Sequence, residues 1–159
     1  DIGSTSAEFG DVFIADDKAI KFGNDQDVTM EYDEDGDDQL KIGGAVTAFT
    51  NAVVGKTDTD TSNSGSVTLD FDANQNFVLT LTGAVTLANP TTEKVGQSGF
   101  IVFIQDGTGS RAITLGTDYE TAGGAGLTLT ATASATDVVP YVIAASNRIL
   151  LGTPQLAFS

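Results

Sequence analysis

Three segments decide the fold: GSVTLDFD (residues 65–72), NFVLTLTGAVTLANP (76–90) and GFIVFIQ (99–105). In the first two, apolar and polar residues alternate, a pattern typical of strands that bury one face of an antiparallel sheet. The third segment is apolar at every position from 100 to 104. Such a strand has to be covered on both faces or lie centrally in the core. The sequence therefore predicts a β-sheet with one buried face in the middle of the chain.

Eight segments after residue 65 share the strand pattern and are separated by turn residues such as Gly, Asn and Ser. They are 66–72, 76–82, 84–88, 99–105, 111–115, 127–133, 137–143 and 148–151. Short strands at this spacing favour an antiparallel β-sandwich of the jelly-roll type. Pro140 restricts its strand to an edge or a bulge. We expect the least exposed residues to include Phe77, Leu79, Leu81, Phe100, Val102 and Ile104.

The first 44 residues read as a thin β-ribbon with acidic turns. Each of its strands offers only two or three apolar side chains, and burying one contributes about 1.5–3 kcal/mol. Ordering each residue of the backbone costs about 1–2 kcal/mol, so a ribbon of this kind needs a partner surface. Another copy of the chain would supply one. The residues expected at that contact are Phe13, Ile20, Phe22, Val28, Met30 and Tyr32.

The chain is predicted to comprise an acidic β-ribbon at 1–44, a polar linker at 45–64 and the sandwich at 65–159. The linker assignment rests on the turn-rich run KTDTDTSNSG at 56–65. Because the N-terminus lacks an initiator Met and a signal segment, the chain is expected to begin partway through a longer gene product or after a processing cut.

Composition excludes several classes of function. The net charge of −15, from 22 acids and 7 bases, argues against nucleic acid and against anionic membrane surfaces as partners. No apolar run is long enough to predict membrane insertion. The chain has no Cys, which excludes disulfides and thiolate metal sites, and no His, which is the commonest general base.

The acidic run at 31–38 invites comparison with a calcium-binding loop. With Gly36 at the sixth position of such a loop, Asp33 falls at the third, but the twelfth position is Ile42. A bidentate glutamate is required there. The pattern therefore favours a solvated hairpin turn over a cation site.

Three further groups of residues have side chains or spacing that could serve chemistry. Asp70 and Asp72 lie on one face of a predicted strand, but no second element supplies the opposing acid that a glycosidase pair needs. Gly107 and Gly109 suggest a phosphate cradle, yet a strand follows them where a helix is required, which favours a β-turn. Arg111 is free to pair with Asp106, to meet another subunit or to remain solvated. The sequence predicts no catalytic residue, no cofactor-binding residue and no metal ligand.

Four segments carry a family resemblance: AEFGDVFIADDKAIKFGND (7–25), EYDEDGDDQLKI (31–42), FVLTLTGAVTLANP (77–90) and GQSGFIVFIQDGTGSR (96–111). The chain resembles tail-fibre-like structural proteins of marine bacteriophage virions. The resemblance implies a non-enzymatic, homotrimeric, β-structured component of the extracellular phage particle. It also implies other virion proteins as partners, and a host surface receptor if the chain belongs to a tail fibre.

Two positions in the virion stay open at this point, a tail fibre or adhesin and a decoration or head-fibre protein of the capsid. A secreted carbohydrate-binding protein is a third hypothesis, from another class. In each case loops would carry specificity while the sheet holds them. The loops expected to make contact are 106–110 and 117–126.

Overall fold

A computed structural model describes residues 6, 10–33 and 39–158. The chain divides into two compact units, Asp1–Val53 and Val54–Ser159. Both are built from β-strands, and the helical structure in the described residues is a single short 3₁₀ turn at Ala122–Gly124. The predicted all-β class is confirmed.

The first unit contains a three-stranded antiparallel sheet in the order β1 (Ala19–Phe22), β2 (Val28–Asp33) and β3 (Gln39–Gly43). This is the predicted meander. No residue of the three strands is fully buried within this unit. The acidic turn between β2 and β3 lies mostly at 34–38, outside the described residues. The acidic run at 31–38, which was compared with a calcium-binding loop, lies largely in the same stretch.

The second unit is a large sheet that encloses its own core. Its eight strands are β4 (Thr57–Thr68), β5 (Asn76–Ala88), β6 (Ser98–Gln105), β7 (Ile113–Leu115), β8 (Tyr119–Thr121), β9 (Thr136–Ala145), β10 (Arg148–Leu151) and β11 (Gln155–Phe158). The main path of the sheet runs β4-β5-β6-β9-β10-β8, with β7 beside β5 and β11 beside β9.

Parallel pairing in the first half of this sheet corrects the antiparallel prediction. β5 pairs in parallel with β4 on one side, and on the other with β6 along its first half and β7 along its second. β9 is antiparallel to β6, β10 and β11, as predicted for the whole sheet. Alternation along a strand reports which face is buried but says nothing about the direction of its neighbours, which depends on how the connections run.

The connection between β4 and β5 also forces these strands to bend. Residues 69–75 return the chain to the beginning of the next strand, and they reach about 28 Å when fully extended. A straight strand of the length of β4 would span about 36 Å. The register of β4 against β5 shifts between Asp60 and Gly65, which places the bend there. The loop 106–112 interrupts the same row of the sheet between β6 and β7.

The proline of β9 occupies a gap in the ladder. Pro140 pairs with Phe100 of β6, and its carbonyl accepts a hydrogen bond from Gly152 N at 2.8 Å. On that side β10 has just ended at Leu151, so the N–H that proline lacks has no strand to meet. The strand is central, but Pro140 itself sits at a local edge, in agreement with the rule for proline.

The core is one apolar cluster drawn from β5, β6, β9, β10 and the segments that return between strands. Phe77, Leu79 and Leu81 are buried, as predicted. The prediction for β6 has the wrong face: Ile101 and Phe103 are buried, whereas Phe100, Val102 and Ile104 point outward. Because residues 100–104 are all apolar, their sequence does not indicate which face of the strand is buried.

Two other predicted boundaries are corrected. Residues 57–64, placed in the linker by their polar composition, form most of β4, because an exposed edge strand tolerates polar side chains on both faces. Residues 127–133 were predicted as a strand but form none. Their alternation instead reflects Leu127 and Leu129, which pack against the core from an irregular segment.

Candidate binding surface

The loop 106–112, which includes the first of the two predicted contact loops, is a rigid turn. Asp106 Oδ1 accepts hydrogen bonds from the backbone N–H groups of Thr108 and Gly109, both at 3.0 Å. The buried Gln105 side chain closes the loop, donating to Arg111 O and accepting from Arg111 N. The backbone donors that a phosphate cradle would offer are therefore directed at Asp106. This supports the β-turn interpretation.

An ion pair spans the same loop. Arg111 donates from Nε at 3.2 Å and from a terminal nitrogen at 2.7 Å to the Asp106 carboxylate. The sequence left three environments open for the Arg111 side chain, and pairing with Asp106 is the one observed. This bond and the backbone N–H groups of Gly109 and Thr108 lower the pKa of Asp106 to about 2, against a smaller opposing effect of desolvation. The same pairing raises the pKa of Arg111.

The lowered pKa predicts how the loop responds to acid. Because the folded-state pKa of Asp106 lies below its unfolded value, the stabilisation is complete above about pH 4 and is lost as the pH falls towards 2. Arg111→Gln removes the largest cause, so the pKa of Asp106 should rise towards its ordinary value. Carboxyl-carbon NMR titration of the folded protein measures this directly.

Glu120 provides the internal control for that titration. Its pKa is lowered mainly by Arg148, which donates to it at 2.9 and 3.1 Å, and this pair does not involve Arg111. Its pKa should be the same in Arg111→Gln and in the parent. An unchanged pKa of Asp106 in the variant would contradict the assigned cause.

The second predicted contact loop, 117–126, has an anchored beginning. Asn89 donates from Nδ2 to Thr117 Oγ1 at 2.7 Å and accepts from Asp118 N at 3.1 Å. Ile149 N donates to Asp118 O at 2.7 Å, which ties the loop to β10. Gly116 is needed just before it, because a Cβ there would lie 2.2 Å from Asn89 Oδ1.

The remainder of this loop, 121–126, is the exposed part. Gly124 and Gly126 adopt left-handed φ angles of 66° and 76°, and Gly126 N donates to Thr121 Oγ1 at 2.9 Å. A depression of about 170 Å³ lies between this segment and 151–154. A second, of about 380 Å³, lies between it and the Leu115–Glu120 side. The second predicted loop thus borders two open depressions.

The acids considered for a glycosidase pair have structural roles. Asp70 and Asp72 lie in the loop after β4 and not on a strand as predicted. Asp70 Oδ1 accepts from the backbone N–H groups of Asp72 and Ala73, which closes a turn. Asp72 lies 3.1 Å from Lys94 Nζ in an exposed ion pair.

A buried polar group that the sequence did not reveal adjoins the core. The Tyr119 hydroxyl and the Oε1 atoms of Glu93 and Gln97 are inaccessible and have no hydrogen-bond partner among the described residues. Burial, followed by the nearby charge of Glu93, raises the pKa of Tyr119, so this hydroxyl stays neutral. The sequence gives no local signal for this burial, because Tyr119 stands between Asp118 and Glu120.

The described residues contain no group of three or more His, Cys, Asp or Glu side chains placed to hold a metal ion. Within the same part of the chain, we find no helix with the length and hydropathy that spanning a membrane requires.

An all-β frame that presents a hydrogen-bonded turn and a glycine-rich loop is typical of a structural domain. Comparison with known families identifies it further: residues 62–144, about half of the chain, match the family model described as "Putative phage tail fibre C-terminal domain". The chain belongs to this family. No curated protein and no solved structure matches it.

The matched residues run from the bend of β4 to the end of β9, which is most of the large sheet. The resemblance to tail-fibre proteins is thereby confirmed at the level of the family. The protein is a structural component of a phage tail and of the virion, in association with other virion proteins. Of the two virion positions that the sequence left open, the family supports the tail.

Proposed function

We propose that this protein is a homotrimeric, non-enzymatic part of a tail fibre whose large unit presents the loop 121–126 to a host surface receptor. The main support for a trimer is that β1, β2 and β3 contain no buried residue within one copy. The acidic first unit would contribute to joining the copies, and the large unit would carry the receptor-binding loop. A marine host remains a prediction from the resemblance.

The energetics of the small sheet support association. Its unit leaves large apolar side chains in solvent, among them Val12, Phe13, Phe22, Leu40 and Ile42. Each would contribute about 1.5–3 kcal/mol if buried, and in a single copy that contribution is missing. A three-stranded ribbon without a buried face is not expected to be stable in water. The same strands from other copies would supply the covering surface.

The non-enzymatic assignment rests on the family, which is structural, and on the side-chain chemistry of the chain. Without His or Cys, Ser-His and Cys-His nucleophile systems are excluded. The carboxylates of Asp70 and Asp106 accept hydrogen bonds from the backbone of their own turns. For the loop 121–126, binding is the function that its two depressions support.

Sedimentation equilibrium of the full chain tests the assembly. We expect a mass about three times the 16.3 kDa of one copy, independent of concentration in the micromolar range. A stably folded species of one-chain mass would overturn the trimer.

Incubation with host envelope polysaccharide tests the remaining part of the proposal. We expect retention of the protein on the polysaccharide, with no new reducing ends and no shortening of the chains. Turnover that disappears when a single carboxylate is replaced by its amide would show an enzyme instead.

A further inference from the structure

The outward face of the large sheet is apolar across three adjacent strands. Along β5, β6 and β9, outward positions alternate with the buried ones, and directly paired residues share a face. We call the apolar members of this outward set the apolar strip; they are Val78, Phe100, Val102, Ile104, Val138, Pro140 and Val142. The same face also carries Thr80, Ser98 and Thr136, which pair with members of the strip at its two ends. Phe100 remains 50% exposed and Val142 40% exposed, although both belong to well-paired strands.

The outward face of the same sheet beyond the bend of β4 and β5 has a different composition from the apolar strip. There, the outward positions of β4, β5 and β7 include Ser66, Thr68, Thr86 and Thr114, which are exposed and hydroxyl-bearing, besides the small side chain of Ala88. This is the expected composition of a sheet face in contact with water. The apolar strip has the composition of a face that is covered, which matches the sequence argument that 100–104 needs cover on both sides.

Charge favours a second copy of the chain as the covering partner. The chain carries a net charge of −15, so two copies repel each other wherever their acids meet. The outward positions of β5 before the bend, of β6 and of β9 carry no charged side chain. A neutral, apolar face is where identical acidic chains approach without that penalty.

One free edge of the sheet, at β4, is a poorer site for association. β4 places Asp58 and Asp60 opposite Phe77 and Leu79, on the core side of this edge. Charged residues on edge strands, including inward-pointing ones, oppose edge-to-edge pairing with another sheet. The neutral outward face is therefore a better site for contact between copies than this edge.

The strip is three strands wide. Three strands about 4.8 Å apart span about 10 Å between the outer strand axes, which is also about the distance at which sheets pack face to face.

We propose that the apolar strip is an interface between copies of this chain, with the strips of three copies packed around a three-fold axis. This inference rests on the proposed trimer and assigns it a surface. The strip alone supplies fewer residues than the 20–30 per partner of a standard interface, so the small sheet contributes the remaining contact. Phe100, the largest and most exposed member, lies on the middle strand β6, next to the central Val102.

Phe100→Glu tests the surface, because it places three like charges at the axis. Sedimentation equilibrium should show dissociation into single chains, with affinity weakened at least about 100-fold. The matched control is Thr86→Glu, which adds the same charge to the hydroxyl-bearing outward face and should leave the trimer intact. Far-ultraviolet circular dichroism checks that both variants fold.

Cross-linking keeps the test decisive if Phe100→Glu fails to fold. Because the chain has no Cys, Val102→Cys supplies one thiol per copy. Oxidation should join two of the three copies, giving a disulfide-linked pair and a single chain on non-reducing gels, whereas Thr86→Cys should give none.

The outcomes separate the two proposals. A parent chain that sediments as a single copy overturns the proposed trimer and this interface together. A trimer that survives in folded Phe100→Glu, or a trimeric Val102→Cys that does not cross-link, overturns the interface alone. In that case the apolar strip would instead contact a different virion protein.

Discussion

Replacing Phe77 by Ala is expected to lower the free energy of unfolding by about 3–5 kcal/mol. Phe77 is fully buried at the beginning of β5, where its ring meets Phe71 edge-on at 5.1 Å between centroids and lies 6.5 Å from Tyr141. The substitution removes the apolar burial and leaves a cavity between two other aromatic rings. Since these rings belong to a loop and to β9, the core cannot close the cavity without moving the sheet.

Chemical denaturation at a fixed protein concentration measures this loss, because the stability of an oligomer depends on concentration. Thr86→Ala, on the exposed side of the same strand, is the control and should change stability by less than about 0.5 kcal/mol. A loss of less than about 1 kcal/mol for Phe77→Ala would show that this end of β5 is peripheral to the core.

The second large effect is expected at Asp137, a carboxylate that is only 1% exposed. It accepts hydrogen bonds from Thr130 N at 2.6 Å, from Thr130 Oγ1 at 2.8 Å and from Ala157 N at 2.8 Å. These bonds attach the irregular segment before β9 and the last strand, β11, to the sheet. Asp137→Ala leaves the backbone N–H groups of Thr130 and Ala157 without an acceptor, and each unsatisfied group costs about 1–3 kcal/mol.

We therefore expect Asp137→Ala to lose about 3–5 kcal/mol in chemical denaturation, with faster hydrogen exchange at the Ala157 amide. Asp137→Asn should lose less stability than Asp137→Ala, because it keeps one acceptor oxygen. It should still be less stable than the parent, because its side-chain NH₂ group would face a hydrogen-bond donor. Asp72→Ala is the matched control, because Asp72 forms only an exposed ion pair and should contribute less than about 1 kcal/mol. Equal losses for Asp72→Ala and Asp137→Ala would contradict the role assigned to the buried carboxylate.

Asp137 also shows a limit of reading this sequence. In TATASATDVVP (130–140) it is one more polar residue at the start of a predicted strand, and nothing local distinguishes it from the solvated acids. Its partners lie 7 and 20 residues away. Only folding brings Thr130 and Ala157 to the same carboxylate. For the same reason the loop 121–126 could be proposed from its glycines, but its depressions could not, because 151–154 closes one of them.

The sequence by itself determined the all-β class, the thin acidic meander, the buried face of β5 and the resemblance to tail-fibre proteins. These follow from local alternation, turn residues and segment composition, which act within a few positions. Tertiary structure decided the parallel pairing of β4, β5 and β6, because direction depends on the return segments. It also decided which face of 100–104 enters the core. A uniformly apolar strand can bury either face, and the choice of Ile101 and Phe103 is made by their neighbours in β5 and β9.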